Sequence, residues 1–205
     1  MLGLPKATAL AKALPKKAIF ERFKPSPTDR KLFDEQINRL SIVAEISPQT
    51  VAIKASADVS AVYVVLVTLK ALECDKRNIA LLSKLIDQRM LFVLQSGDTA
   101  RLAVYRAEKV LVSESKPLDG WKLNLSGLDL EAIWENAIAQ IGGIDLTGGA
   151  DLDATIAEND RQEKLKKQIT TLEKKAMTER QPRRKWEYAE EIKRLKIKLE
   201  EIKNG

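Results

Sequence analysis

Ala61-Val-Tyr-Val-Val-Leu-Val-Thr-Leu-Lys70 decides how this chain folds. The stretch is apolar on both faces instead of alternating, which is the pattern of a central strand covered on both sides. Such a strand needs neighbours, and its flanks supply them. Upstream, Ser41 to Ile46 and Thr50 to Lys54 are rich in β-branched residues and flank the turn signal Ser47-Pro48-Gln49. Downstream, Met90 to Gln95 and Ala100 to Tyr105 are joined by the hairpin signal Ser96-Gly97-Asp98-Thr99. Val110 to Ser113 and Trp121 to Leu125 follow, separated by Lys116-Pro117-Leu118-Asp119-Gly120.

Helical patterns alternate with these strands. Pro5, Pro15, Pro25 and Pro27 divide the N-terminal residues into short helical turns, one of them running from about Lys16 to Phe23. Ser26-Pro27-Thr28-Asp29 reads as a helix start, and the helix runs to about Leu40 with Phe33, Ile37 and Leu40 as anchors. Asp75 can cap a helix to about Gln88 that turns Ile79, Leu82, Leu85 and Ile86 inward. Asp129 opens the cleanest amphipathic segment, Leu130, Ile133, Trp134, Ala137, Ile138 and Ile141, which Gly142-Gly143 ends. The pattern predicts an α+β body over residues 1–143, with a single mainly antiparallel sheet of five or six strands and flanking helices.

Residues 144–157 read as a linker, with Gly148-Gly149 and the scattered Asp145, Asp151 and Asp153. The glycines follow no strand and belong to no phosphate-loop motif, and the aspartates lack calcium-loop spacing. Residues 158–205 form a basic two-helix arm. Leu165/Ile169/Leu172/Ala176 and Tyr188/Ile192/Leu195/Leu199/Ile202 each recur at steps of three and four residues, and Gln181-Pro182 separates them. Proline disfavours helix in the residue before it, so the arm is expected as a helical hairpin or as a kinked coiled coil pairing with a second copy.

Of the 205 residues, 44% are hydrophobic and 31% charged, the composition of an ordinary globular chain. Its net charge of +6 is localised: residues 161–205 hold 15 Lys and Arg against 8 Asp and Glu, a net of +7, leaving −1 for residues 1–160. A basic arm on a neutral body points to an acidic partner, such as a phosphate backbone or an acidic protein surface. Arg180, Arg183, Arg184 and Lys185 sit at the break beside Trp186 and Tyr188, a combination that can bind phosphate while stacking on a base. Packing of the two aromatics at a hairpin tip is the structural alternative.

The absence of histidine and the single Cys74 remove Ser/His/Asp and Cys/His catalysis, His- or Cys-based zinc sites and any intrachain disulfide. A reducing cytoplasm is the expected compartment. Cys74 reads as structural or incidental. No apolar run approaches the roughly 18 residues of a membrane span, and Lys6 and Lys12 break any signal-peptide core, so the N-terminus is expected to stay in the mature protein. No cofactor or metal is implied.

The one enzymatic pattern to weigh is a metal-dependent nuclease, with Asp58 before the central strand, Lys70 at its end and Glu45 as a stand-in carboxylate. The position that needs the second acid is Thr68, and a hydroxyl does not supply the charge that holds a hard cation. No catalytic residue is assigned.

Leu4-Pro5-Lys6-Ala7-Thr8, Leu14-Pro15-Lys16-Lys17, Ile46-Ser47-Pro48-Gln49-Thr50-Val51 and Ser126-Gly127-Leu128-Asp129-Leu130, with the helical tail, resemble a bacterial family of unknown function. Its members often lie near DNA methyltransferases and helicases of restriction or phage-defence type. The resemblance implies a role beside DNA-processing machinery and carries over no catalytic residue. The expectation is a non-catalytic accessory protein with a helicase or methyltransferase partner, its basic arm mediating assembly or nucleic-acid contact. A divergent nuclease and a purely structural homo-oligomer are the alternatives.

Overall fold

The computed structural model describes residues 2–145 and 151–204, which fall into two compact units, 1–147 and 148–205. The first unit holds strands β1 (Ala9–Ala13), β2 (Ile37–Ile46), β3 (Val62–Leu69), β4 (Arg89–Ser96), β5 (Thr99–Arg106), β6 (Lys109–Val112) and β7 (Lys116–Pro117). Its helices are α1 (Lys16–Phe23), α2 (Pro27–Gln36), α3 (Lys76–Leu82) and α4 (Leu130–Gly142). The second unit holds α5 (Leu152–Thr178) and α6 (Pro182–Asn204).

The strands form one sheet in the order β1-β2-β3-β4-β5-β6, with β7 also pairing β5. The central strand stands where its composition puts it: β3 is antiparallel to β2 and parallel to β4. All the other pairings are antiparallel. A parallel neighbour demands a crossover, and the segment containing α3 provides it. Val65 and Val67 of β3, with Phe92 and Leu94 of β4, share a core with Ile19 of α1, Phe33 of α2, and Ile79 and Leu82 of α3. Val64, Leu91, Val93, Leu102 and Val104 alternate with these and are equally buried, so they serve the other face. There α4 packs on β5 and β6, and a Cβ on Gly142 would stand 3.2 Å from Leu111 Cδ1. Leu111 points away from Val110, which belongs to the first core. The sheet is therefore covered on both sides.

The caps follow the sequence signals. Asp29 N–H donates to Ser26 Oγ at 3.1 Å, Arg77 N–H to Asp75 Oδ1 at 2.8 Å, and Ala132 N–H to Asp129 Oδ1 at 3.0 Å.

Several expectations are corrected. The sheet has seven strands, not five or six. β1 forms where the prolines suggested helical turns: Ala9-Leu-Ala-Lys-Ala13 has no β-branched residue, and pairing with Ala44, Ile42 and Ser41 of β2 overrides local propensity. α2 stops at Gln36, and β2 begins at Ile37. A register shift between Ile37 and Arg39 lets Ile37 and Leu40, three apart, both be buried, which imitates helical spacing. Thr50 to Lys54 is not a strand: it starts as a turn, with Thr50 Oγ1 donating to Glu45 O at 2.8 Å and accepting from Ser47 N–H at 2.9 Å, and ends in an isolated bridge between Lys54 and Asp129. Trp121 to Leu125 is irregular, pinned by Trp121 Nε1–H donating to Ala100 O at 2.9 Å and Leu123 N–H to Leu2 O at 3.0 Å. α3 ends at Leu82, short of Gln88.

In the second unit α5 starts at Leu152, inside the stretch read as linker, because Asp151 accepts from Asp153 N–H and Ala154 N–H at 2.9 and 3.4 Å. Of that stretch, residues 146–150 lie outside the described residues. The arm is a hairpin. Ile169, Leu195 and Leu199 are buried together, with Leu165, Leu172 and Ile192 against them, and Lys196 Nζ reaches Glu173 Oε1 at 2.9 Å. Glu179 caps α5, and Pro182 takes the first position of α6, where its missing donor costs nothing.

The β5–β6 turn holds Ala107 and Glu108 at φ 47° and 59°, between the paired Arg106 and Lys109. Left-handed backbone suits glycine and costs other residues about 1–2 kcal/mol. Glu108→Gly is therefore expected to raise the unfolding free energy by about 0.5–1 kcal/mol in urea titration; a decrease would contradict the turn assignment.

Candidate nucleic-acid interface

The unit boundary changes the charge partition. Cut at 148, the second unit gains Asp151, Asp153, Glu158 and Asp160 and holds 15 Lys and Arg against 12 Asp and Glu, a net of +3. The first unit holds 20 against 17, also +3. The body is thus not neutral, and the hairpin is polarised along its length. Residues 151–160 carry four acids and no base, whereas residues 174–185, around the turn, carry six bases and one acid.

That turn is built by Glu179, Arg180 and Gln181. Gln181 N–H donates to Glu179 Oε1 at 2.9 Å, and Lys185 N–H to Gln181 O at 3.0 Å. Arg180, Arg183, Arg184 and Lys185 are all exposed. Arg183 Nε lies 3.4 Å from Glu187 Oε1, but its side chain is 91% exposed, so the pair contributes little. Arg180, Arg184 and Lys185 make no ion pair among the described residues. Trp186 is 64% exposed, whereas Trp121 and Trp134 are buried. A large aromatic left in water beside unpaired cations has the chemistry to stack on a base or sugar next to a phosphate.

Tyr188 parts from this group. It lines a groove between the helices with Lys167, Thr171, Leu172, Glu191 and Leu195. Packing along that groove accounts for Tyr188, and exposure keeps Trp186 available.

The residues of the nuclease pattern are dispersed. Glu45 pairs across from Tyr63 at the start of β3, where burial, then the Glu45 carboxylate, push the phenol pKa up. Asp58 precedes the same end. Lys70 follows the other end of β3, about 26 Å away at roughly 3.3 Å per residue. It is used structurally: its Nζ donates to Asp34 O at 2.7 Å and its N–H to Gln36 O at 2.8 Å. The side-chain oxygen of Gln36 also accepts from Asp75 N–H at 2.8 Å and from buried Asn78 at 2.9 Å. This junction ties α2, β3 and α3 together, and no spacing signal in the sequence announces it. Among the described residues, no three acids or cysteines are placed to hold a metal ion, and no helix is long and apolar enough to cross a membrane.

A model of the family described as a domain of unknown function (DUF4391) matches residues 2–199. The chain belongs to this family. No curated protein and no solved structure matches it. Membership in DUF4391 brings no assigned activity, so the chemistry of this chain rests on its own residues.

Cys74 is half-buried at the Gln36 junction, its thiol donating to Asp75 O at 3.8 Å. Burial pushes the thiol pKa up to about 11, with Asp75 adding to the rise and a hydrogen bond involving Asn78 opposing it. The folded chain then holds its proton where an unfolded chain has lost it. This contribution to stability is full below about pH 9 and is lost as pH rises through about 11. Alkylation by iodoacetamide at pH 8 is expected to be roughly a hundredfold slower in the folded than in the urea-unfolded chain. Equal rates would contradict the partial burial of the thiol.

Proposed function

We propose that this protein is a non-catalytic cytoplasmic accessory factor of DNA-processing machinery, whose hairpin tip contacts nucleic acid. One observation carries the reading: around residues 174–185 six cations surround one acid, and Trp186 stands beside them, exposed. Phosphate contact uses the cations, and stacking on a base or sugar uses the indole. The α+β body supplies the docking surface for a helicase or methyltransferase of restriction or phage-defence type.

Assembly through the arm's apolar stripes has less support, because the hairpin fills that seam from its own two helices. A second copy is not needed to bury Ile169, Leu195 and Leu199. The nuclease alternative has no observation in its favour, since Lys70 stands a strand's length from Glu45 and Asp58.

Binding of a short DNA duplex across salt concentrations tests the tip. Log K is expected to fall linearly with log salt. When Arg180, Arg183, Arg184 and Lys185 become Ala, the slope is expected to shrink by about 0.9 for each phosphate no longer neutralised. No binding at low salt, or an unchanged slope in that variant, removes nucleic-acid contact from the account. Purification of the tagged chain from its own cell, with a helicase or methyltransferase absent from the bound fraction, removes the docking half.

A further inference from the structure

The body's positive charge is not spread over its surface. Residues 1–31 hold 8 Lys and Arg against 2 Asp and Glu, a net of +6, while residues 32–147 hold 12 against 15, a net of −3. Residues 1–31 are the edge strand β1, α1 and the first half of α2; Asp34 and Glu35 in the rest of α2 reduce the excess to +4 over residues 1–36.

Within this segment the cations divide into two kinds. Lys16, Lys17 and Lys31 are engaged with Asp34, Glu21 and Glu35. Lys16 also donates to Ile37 O. Lys6, Lys12, Arg22, Lys24 and Arg30 make no ion pair among the described residues. The two arginines are held on aromatic rings. Arg30 lies 4.9 Å from the centroid of Phe20, and Arg22 lies 5.6 Å from that of Phe23. Phe20 is in turn fixed edge-on against the buried Phe33, centroids 5.3 Å apart. A guanidinium resting on a ring keeps its planar fork of donors free and loses less freedom when it grips an oxyanion.

We infer that β1, α1 and α2 form a second phosphate-binding surface on the body, for the backbone of duplex nucleic acid. The inference rests on the reading of the chain as a nucleic-acid binder, but on residues separate from the hairpin tip. The surface itself narrows the partner. An extended peptide would add to the free edge of β1. There, however, the register shifts between Ala9 and Lys12, and Lys12 stands exposed, two devices that blunt an edge against strand addition. An anionic membrane would call for apolar side chains to insert, and in this segment Leu10, at 39%, is the one large hydrophobic that is strongly exposed among the described residues. Phe20 and Phe23 are half-buried and carry guanidiniums, so they offer no stacking face to unpaired bases. What remains is sequence-independent contact with phosphates, the chemistry of duplex backbone binding.

The test uses the full chain in two independent variants, Arg22→Gln with Arg30→Gln, and Lys12→Gln with Lys24→Gln. None of these side chains lies in the core, and circular dichroism and the urea midpoint check that each variant is folded. For a random-sequence duplex, each pair is expected to reduce the log K against log salt slope by about 0.9 per phosphate no longer neutralised, up to roughly 1.8. Adding either pair to the Ala variant of the hairpin tip lowers binding further than the tip variant alone. Wild-type affinity and slope in both folded body variants overturns this surface while leaving the tip intact. Weaker binding by the body variants, with wild-type binding by the tip variant, supports this surface and removes the tip. Binding of polyglutamate or of anionic vesicles, in place of duplex, that depends on these residues also overturns the inference.

Discussion

The fold depends on the parallel pairing of β3 with β4. Two parallel strands cannot be joined by a tight turn, so the chain between them must leave the sheet and return, and it carries α3 across one face as it does so. A parallel pair is stable when both faces are covered. The near-continuous apolar character of both strands follows from that need: Val65, Val67, Phe92 and Leu94 serve the face under α1, α2 and α3, while Val64, Leu91 and Val93 serve the face under α4. The Gln36 junction holds the exit of this crossover, since one glutamine accepts from Lys70 and Asp75 backbone amides and from Asn78.

Elements whose burial is one-sided or complete were legible in the sequence. β3, the β4–β5 hairpin and α4 stand where periodicity and turn residues put them, and the caps Ser26, Asp75 and Asp129 act as such. What escaped was decided by partners distant in sequence. β1 is a strand because β2 pairs with it, not because alanine favours strands. The helix-like spacing of Ile37 and Leu40 comes from an irregular register in β2. The β5–β6 turn carries no glycine or asparagine at Ala107 and Glu108, so no turn signal exists to be read.

The candidate site was legible as composition and not as geometry. The cations and Trp186 at the break are recognisable in the sequence, but Tyr188 belongs to the groove between the helices. A charge sum cut at residue 160 hides both the acidic root of the hairpin and the basic N-terminal segment, because acids elsewhere in the body cancel the latter. Electrostatic complementarity acts locally, within about 10 Å at ordinary ionic strength, so the local excess matters more than the total. In both basic regions many of the cations are free of carboxylate partners.

The central claim, that the hairpin tip contacts nucleic acid, is tested most directly through Trp186. It is 64% exposed, whereas Trp121 and Trp134 are 5% and 1% exposed, so acrylamide quenching of tryptophan emission reports on the tip. The account predicts that saturating duplex DNA at low salt shields Trp186 from acrylamide, that added salt restores quenching, and that Trp186→Phe abolishes the effect. Unchanged quenching at saturating DNA would contradict it.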